Sequence, residues 1–463
     1  MSLLFNPVSV AQASLQVMAA GALSAQALES LQAVRLAHLL ADVRQSSPFY
    51  RQRLSGIPAN RLGLQDLPSV SRDELMGQFD AWVSDPRITL SALQAFTADP
   101  ALIGTAFLGR YLVWESSGSS HQPGMFVQDA QSMAVYDALE AVRISPARPW
   151  RRWLDPWCMT ERIAFIGATT GHFASVVSVQ RLRQNNPIMG SALRCFSILQ
   201  PAGDLFRALE AFEPSVITTY PSVAALLAEA RASGLLCLSP QEVWTGGETL
   251  SSRIRQNIEQ ALGCTVRNSY GASEFLPIAW ECRTGTLHLN ADWVILEPVD
   301  AQRRPTPPGQ LSHSCLLTNL VNRVQPIIRY DLGDRIRMGT TPCACGSVMP
   351  TVEVEGRQDD PLVMAGRAGA AVTLLPLALT TVLEEDAGVF DFQLRQKDEH
   401  TLILRLDCPG AEAAQALERC RVALLAFSQA QSLSPIKLLG ELGKPLRRGR
   451  SGKAQRIVAR GDD

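Results

Sequence analysis

VITTY (Val216–Tyr220), EVWT (Glu242–Thr245) and CTVRN (Cys264–Asn268) are three short apolar runs, and the last leads straight into NSYGASE (Asn268–Glu274). Each has the length and β-branched content of a buried strand. After the first, Pro221 and Ser222 open an amphipathic helix through about Ser233, with Val223, Leu226, Leu227 and Ala230 on its apolar face. After the second, the loop Gly246-Gly247-Glu248 precedes a helix to Leu262, which Gly263 ends. Strand–helix alternation of this kind implies parallel strands joined by right-handed crossovers. Ligands of such sheets bind beyond the carboxyl ends of the strands. Those ends carry Tyr220, the 246–248 loop and the run Ser269, Tyr270, Gly271, Ala272, Ser273 and Glu274. The sequence thus predicts a site on one rim, where the third strand runs out.

At 463 residues the chain exceeds one hydrophobic core, so two or more domains are expected. The formal net charge of −1 gives no reason to expect a nucleic acid or an anionic membrane as partner. No uninterrupted apolar run reaches transmembrane length. The N-terminus lacks a basic start and is interrupted by Pro7, which argues against a secretion signal. Ten scattered cysteines suit a reducing compartment, and a cytoplasmic location is expected.

Towards the N-terminus, Leu31, Val34, Leu36, Leu39, Leu40 and Val43 mark a helix that ends before Ser46-Ser47-Pro48. Ser71 stands three residues before Glu74, the capping-box spacing. SSGSSHQPG (Ser116–Gly124) follows the strand-like Tyr111–Trp114. Ser116, Ser117, Ser119 and Ser120 supply hydroxyls, and Gly118 an unhindered N–H, for a loop around phosphate oxygens. It is not a Walker loop, and a plain connecting loop is the competing reading. His172 follows the strand Arg162–Ile166, either lining a pocket or serving as a structural hydrogen-bonder. Trp150, Trp153 and Trp157 are expected to pack under a loop.

Beyond Glu274 the pattern changes to short alternating strands, predicting an antiparallel subdomain over 275–356 with a turn at Pro305–Gly309. In it, Asp334 follows a strand-like run beside Gly333, either a turn residue or an acceptor for ribose hydroxyls. Cys282, His288, Cys343 and Cys345 offer a Cys₃His set for a structural zinc, the alternative being free thiols. From residue 357 to 463 the chain reads as an α+β module. Its strands are Phe390–Lys397, Thr401–Asp407 and Ile436–Gly440, with a helix over Ala411–Phe427. Its tail, Lys444 to Arg460, carries seven lysines and arginines and no acid. The expected fold class is therefore α/β: a large N-terminal domain (1–356) of mostly parallel sheet flanked by helices, with the antiparallel subdomain, and a small mobile α+β C-terminal domain.

In these motifs the chain resembles the adenylate-forming enzymes, and among them the phenylacetate–coenzyme A ligase-like branch. SSPFYRQRL (Ser46–Leu54) is similar to that branch's entry segment, SSGSSHQPG to its phosphate loop and NSYGASE to its adenine and acyl-site motif. RYDLGD (Arg329–Asp334) is similar to the ribose motif, GRQDD (Gly356–Asp360) to the hinge, and GKAQRIV (Gly452–Val458) to the segment with the reactive lysine. The resemblance implies ATP, Mg²⁺ and coenzyme A, with a small-molecule carboxylic acid, preferably aromatic, activated as its acyl-adenylate. It implies Tyr270 on adenine with Gly246, Gly247 and Glu248 flanking it, Glu274 on magnesium, Asp334 on ribose, Arg357 at the domain junction and Lys453 on the developing charge. His172, Tyr220, Trp244, Ala272 and Phe275 are expected near the acid's ring. It also supports the zinc reading. The phosphate loop departs from the family's Ser-Ser-Gly-Thr-Thr-Gly-Lys-Pro, with His121 and Gln122 in place of Gly-Lys. That removes a lysine grip on pyrophosphate and leaves three alternatives open. The acceptor is coenzyme A; it is a carrier-protein thiol or an amine; or the chain is a degenerate nucleotide-binding homologue without turnover, as a monomer or homodimer.

Overall fold

The computed structural model describes residues 6–56, 63–116, 123–144, 161–185, 187–355, 361–367, 369, 371–406, 411–444, 446 and 455–460. The Ser46-Ser47-Pro48 signal works in both directions. It ends the helix Ala25–Ser46, and Ser47 then caps the helix Pro48–Arg53 by accepting from the Tyr50 N–H. Ser71 caps the helix Arg72–Gly77 through the Glu74 N–H, as the spacing predicts. The Glu74 carboxylate does not complete the box; it pairs with Arg53.

Strands β1 (Leu112–Glu115) and β2 (Met125–Gln128) form an antiparallel hairpin. The main sheet contains β3 (Ile163–Gly167), β4 (Leu193–Ser197), β5 (Val216–Thr219), β6 (Glu242–Thr245), β7 (Thr265–Ala272), β8 (Phe275–Glu281) and β9 (Leu287–Leu289). Their order is β4-β3-β5-β6-β7-β8-β9. Neighbours from β4 to β7 are parallel, whereas β8 and β9 are antiparallel additions to the edge. The helices Pro221–Ala232 and Ser252–Leu262 make the β5–β6 and β6–β7 crossovers, the second stopped by Gly263 at φ 64.

Two expectations are corrected here. The third strand does not run out at Asn268 but continues through Ala272 and doubles back as β8. The antiparallel subdomain expected over 275–356 also gives up its first two strands, because β8 and β9 extend the main sheet. The reason is Gly271, where the register slips between Tyr270 and Ala272. A Cβ at this position would lie 1.9 Å from the Leu276 carbonyl oxygen, so the bulge closes only around glycine.

Further on, β10 (Val294–Val299), β11 (Ser314–Asn319) and β12 (Tyr330–Asp331) form a three-stranded sheet, and β13 (Arg335–Met338) pairs with β14 (Val352–Glu355). A second hairpin joins β15 (Leu362–Ala365) and β16 (Ala371–Leu374). The last sheet contains β17 (Phe392–Asp398), β18 (Thr401–Leu406), β19 (Lys437–Leu442) and β20 (Ile457–Val458), in the order β19-β18-β17-β20. The helix Ala411–Ala430 belongs to the same module. One apolar cluster packs the N-terminal helices, β1 and β2 against the β7–β8 hairpin and the small sheets. A second runs from the other face of the main sheet into the C-terminal sheet. There Gln431 Nε2 donates to the Leu199 carbonyl oxygen at 2.7 Å. The expected boundary at 356/357 lies outside the described residues. No helix among the described residues is long and apolar enough to cross a membrane.

Candidate functional site

The parallel strands bring their carboxyl ends to one rim, and the loops there touch one another. Gly246 N–H donates to the Thr219 carbonyl, and Ser269 Oγ donates to the Thr245 carbonyl at 3.2 Å. Gly247, at φ 78, lies so close to Tyr220 that a Cβ would sit 3.0 Å from its ring. On the ring's other edge a Cβ on Gly167 would be 3.5 Å away. Burial pushes the Tyr220 hydroxyl up to about 12, against the opposing hydrogen bond of the Ser175 hydroxyl. Glu248 is engaged by the first crossover helix: its carboxylate accepts from both the N–H and the hydroxyl of Ser222, each at 2.9 Å.

The β7–β8 turn lies beside two tyrosine–carboxylate pairs. The Tyr270 hydroxyl donates to Asp334 Oδ2 at 2.9 Å. Burial first, and then the Asp334 charge, hold Tyr270 well above its ordinary value. Glu274 is buried near Tyr330, the polar group that most opposes the effect of its burial. Burial raises Glu274 above the usual carboxylate value; Tyr330, the backbone and the Arg72 charge oppose the rise, while Asp334 adds to it.

The serine-rich run has its described ends, Ser116 and Gly124, next to this turn. Its ends are tied by Ser116 N–H to the Gly124 carbonyl and by Gly124 N–H to Ser116 Oγ, both at 2.8 Å. Trp114, fully buried on β1, donates through Nε1 to the Ser273 carbonyl at 2.8 Å, fastening the loop's base to the β7–β8 turn. Glu115 N–H donates to the His172 carbonyl, bringing in the loop after β3. The expected residues Ser117, Gly118, Ser119, Ser120, Arg357 and Lys453 lie outside the described residues.

The expected ring contacts divide. Tyr220 and Ala272 remain partly open at the rim. Trp244 lies half-buried along the sheet, its indole N–H donating to Glu242 Oε2 at 2.7 Å on the same strand. Phe275 departs from the expectation: its ring is fully buried against Tyr136, 5.0 Å away edge-on. His172 is buried with Nε2 3.1 Å from the Asp99 carbonyl and its ring against Phe96. Its Nδ1 has no hydrogen-bond partner among the described residues.

Several residues here were not legible as site residues. Tyr330 reads as part of a strand, and Arg72 as the first residue after a helix cap. Glu385 comes from the C-terminal module: its Oε2 lies 3.2 Å from the place of a Cβ on Gly171. Burial, then the charges of Glu115, Glu384 and Asp386, push Glu385 up to about 7. Contacts spanning hundreds of residues leave no local pattern.

About the zinc question the geometry is specific. The ligand atoms of Cys282, His288, Cys343 and Cys345 all lie within 4.8 Å of one another. Cys282 Sγ is 3.8 Å from Cys343 Sγ, and Cys345 Sγ is 3.4 Å from His288 Nε2. Tetrahedral zinc with ordinary Zn–S and Zn–N bonds separates such atoms by about 3.5–3.8 Å. His288 Nδ1 faces the Met349 carbonyl at 2.8 Å, so Nδ1 carries the proton and Nε2 turns its lone pair to the thiols. The donor set fits the ion.

No family model matches the chain. Over 377 residues, 77% of its length, it is 27% identical to a phenylacetate–coenzyme A ligase of Thermus thermophilus, of which the match spans 75%. In fold it is similar to a crystal structure of 2-hydroxyisobutyryl-CoA ligase in complex with 2-HIB-AMP and CoA in the thioesterification state. The TM-score is 0.58 at 19% identity, covering 95% of this chain and 91% of that one. An open conformation of the same ligase, also in complex with 2-HIB-AMP and CoA, gives 0.53 at 18% identity, with coverages of 94% and 91%.

Proposed function

We propose, from the premise that this chain is a phenylacetate–coenzyme A ligase-like protein of adenylate-forming type, that it is an acid–thiol ligase. It activates a carboxylic acid with ATP and passes the acyl group to coenzyme A. In the first step a carboxylate oxygen bonds to the α-phosphorus and pyrophosphate leaves. In the second the thiol sulfur bonds to the acyl carbon and AMP leaves. The observation that carries the reading is the Tyr270–Asp334 hydrogen bond with the buried Glu274 near it, beside the tied ends of the serine-rich run, Ser116 and Gly124. A nucleotide needs an aromatic face for its base, an acceptor for its ribose and donors for its phosphates; Tyr270 and Asp334 would supply the first two and the serine-rich run the third.

Residues 1–356 would bind ATP and acid, and residues 357–463 would bring Lys453 to the reaction. Glu274 would hold magnesium, since a desolvated carboxylate regains its charge most cheaply beside a hard cation. Bound there, magnesium would screen the triphosphate. Asp334 would accept from the ribose hydroxyls, held in aim by Tyr270. The acid is aromatic in this reading, supported by the flat Tyr220 ring between Gly167 and Gly247.

The test is ATP–pyrophosphate exchange across aryl and fatty acids, followed by the coenzyme A dependence of AMP release. Exchange without that dependence would move the acceptor to a carrier thiol or an amine. Absence of exchange with every acid would favour a homologue without turnover, the alternative suggested by His121 and Gln122. Replacing Asp334 with alanine should raise the KM for ATP roughly tenfold, the worth of one hydrogen bond to a charged group. An unchanged KM would remove Asp334 from the ribose.

Zinc is proposed as a structural ion on Cys282, His288, Cys343 and Cys345. Purified protein should carry about one zinc per chain, as a closed four-ligand site does. Cys345→Ser should lose the ion and lower the thermal midpoint. A zinc-free protein of wild-type stability would return these cysteines to ordinary thiols.

A further inference from the structure

The basic tail ends in a side chain that is not solvated. Arg456, only 6% exposed, donates through Nη1 to Glu384 Oε1 at 2.6 Å and through Nη2 to the Phe390 carbonyl at 2.8 Å. Its guanidinium carbon lies 4.2 Å from the centre of the Phe392 ring. The backbone is held as well: Leu394 N–H donates to the Arg456 carbonyl at 2.7 Å, and Gln393 Nε2 to the Gln455 carbonyl at 2.8 Å. Glu384, 3% exposed, sits in the π-helical turn Val382–Asp386. The next residue, Glu385, faces away from Arg456 to the Gly171 loop of the rim.

Stability alone does not explain this arrangement. Burying two opposite charges costs desolvation that their attraction scarcely repays, and an apolar pair would hold the sheet as well. A planar fork in a fixed set of partners adds positional definition instead. That definition matters at β20, which is joined to β17 by only two register pairs, Leu394–Ile457 and Arg395–Val458. So short a strand specifies its own register weakly, and a slip of one residue would turn every side chain over. Lys453 precedes Arg456 by three residues. At no more than about 3.6 Å per residue, whatever fixes Arg456 confines the lysine's backbone to within about 11 Å.

We propose that Glu384 and Arg456 are positioning residues for the adenylation step: their buried pair pins the strand that follows Lys453 and thereby sets where its ammonium is delivered. The proposal rests on the reading that Lys453 serves acyl-adenylate formation.

The test separates the two half-reactions in the full-length protein. One assay is ATP–pyrophosphate exchange with whichever acid supports it, phenylacetate first. The other is thioester formation from the supplied acyl-adenylate of that acid and coenzyme A. In Arg456→Met and Glu384→Gln, kcat for exchange should fall about tenfold to a hundredfold, the effect of a displaced catalytic group. The KM for ATP and the rate of thioester formation should stay within about twofold. Arg456→Lys, which keeps the charge and loses the fork, should show the same split and serves if Arg456→Met does not fold. A parallel loss in both half-reactions together with a lowered thermal midpoint would make the pair merely structural, and unchanged exchange would overturn the proposal outright. Lys453→Ala is the control on the underlying reading. If that variant keeps wild-type exchange, the lysine assignment itself fails, whatever Arg456 does.

Discussion

Replacing Lys453 with alanine lowers ATP–pyrophosphate exchange about 10²–10³-fold, while thioester formation from a supplied acyl-adenylate stays close to wild type. The magnitude is that of removing one preorganised donor aimed at developing charge in a water-poor cleft. When the carboxylate oxygen approaches the α-phosphorus, charge spreads over the phosphoryl oxygens and the departing pyrophosphate. The protein has little covalent work to do there; it supplies position and a cation. If the serine-rich run is the phosphate loop, His121 and Gln122 replace the Gly-Lys that the resemblance implies there, and one lysine fewer shares that work. The dependence on Lys453 is correspondingly expected to be steep. The second half-reaction forms a carbon–sulfur bond and does not call on the same cation. A variant in which both half-reactions fall equally would show that the lysine supports the fold and not the first chemical step. Measuring exchange and thioester formation on one preparation decides between them.

Much of this architecture was legible because its signals are local. The apolar runs at 216–220, 242–245 and 264–268 became three adjacent parallel strands, and Gly263 ends its helix with the positive φ that glycine tolerates. Ser47 and Ser71 cap helices because their hydroxyls reach an N–H three residues on. What the sequence did not disclose depends on contacts between distant segments. The bulge at Gly271 exists because Leu276 folds back over it, and nothing in NSYGASE alone distinguishes a loop from a hairpin. Phe275 follows that motif directly, yet the hairpin turns its ring into the core against Tyr136. The tail from Lys444 to Arg460 shows in sequence only as a basic run without an acid, with nothing to tell its members apart by burial. Folding separates its members: Lys444 pairs at the surface with Glu441, and Arg456 is buried against Glu384. The Tyr270–Asp334 bond joins residues more than fifty positions apart, beyond any window of periodicity.

The buried Glu274 leads to a prediction that runs in opposite directions for stability and for activity. Glu274 is buried, and burial is the largest influence on it, raising its pKa above the ordinary 4.5. A carboxyl whose folded pKa is raised favours the native state when protonated, and this advantage is lost as pH rises through the raised value. The nucleotide-free protein therefore bears a charge penalty at neutral pH, which the Tyr330 hydroxyl and the Arg72 charge only partly offset. Glu274→Gln keeps the shape and removes the charge. Its thermal midpoint without nucleotide should equal or exceed that of the wild type at mildly alkaline pH. In the proposed role of Glu274 magnesium–ATP should reverse the sign, because a cation there would need the ionised side chain. The variant should bind magnesium–ATP at least about tenfold more weakly and lose about 10²-fold in the adenylation rate, the several kcal/mol attributed to a metal at a phosphoryl centre. Wild-type affinity for magnesium–ATP should fall as pH drops through the raised Glu274 value, in a window that opens above 4.5. The glutamine variant should show a flat profile there. Calorimetric titration across that window, with thermal midpoints on the same samples, measures both arms. A glutamine variant that binds magnesium–ATP as tightly as the wild type would remove Glu274 from the metal. One that melts lower without nucleotide would mean that its charge is already compensated by the fold.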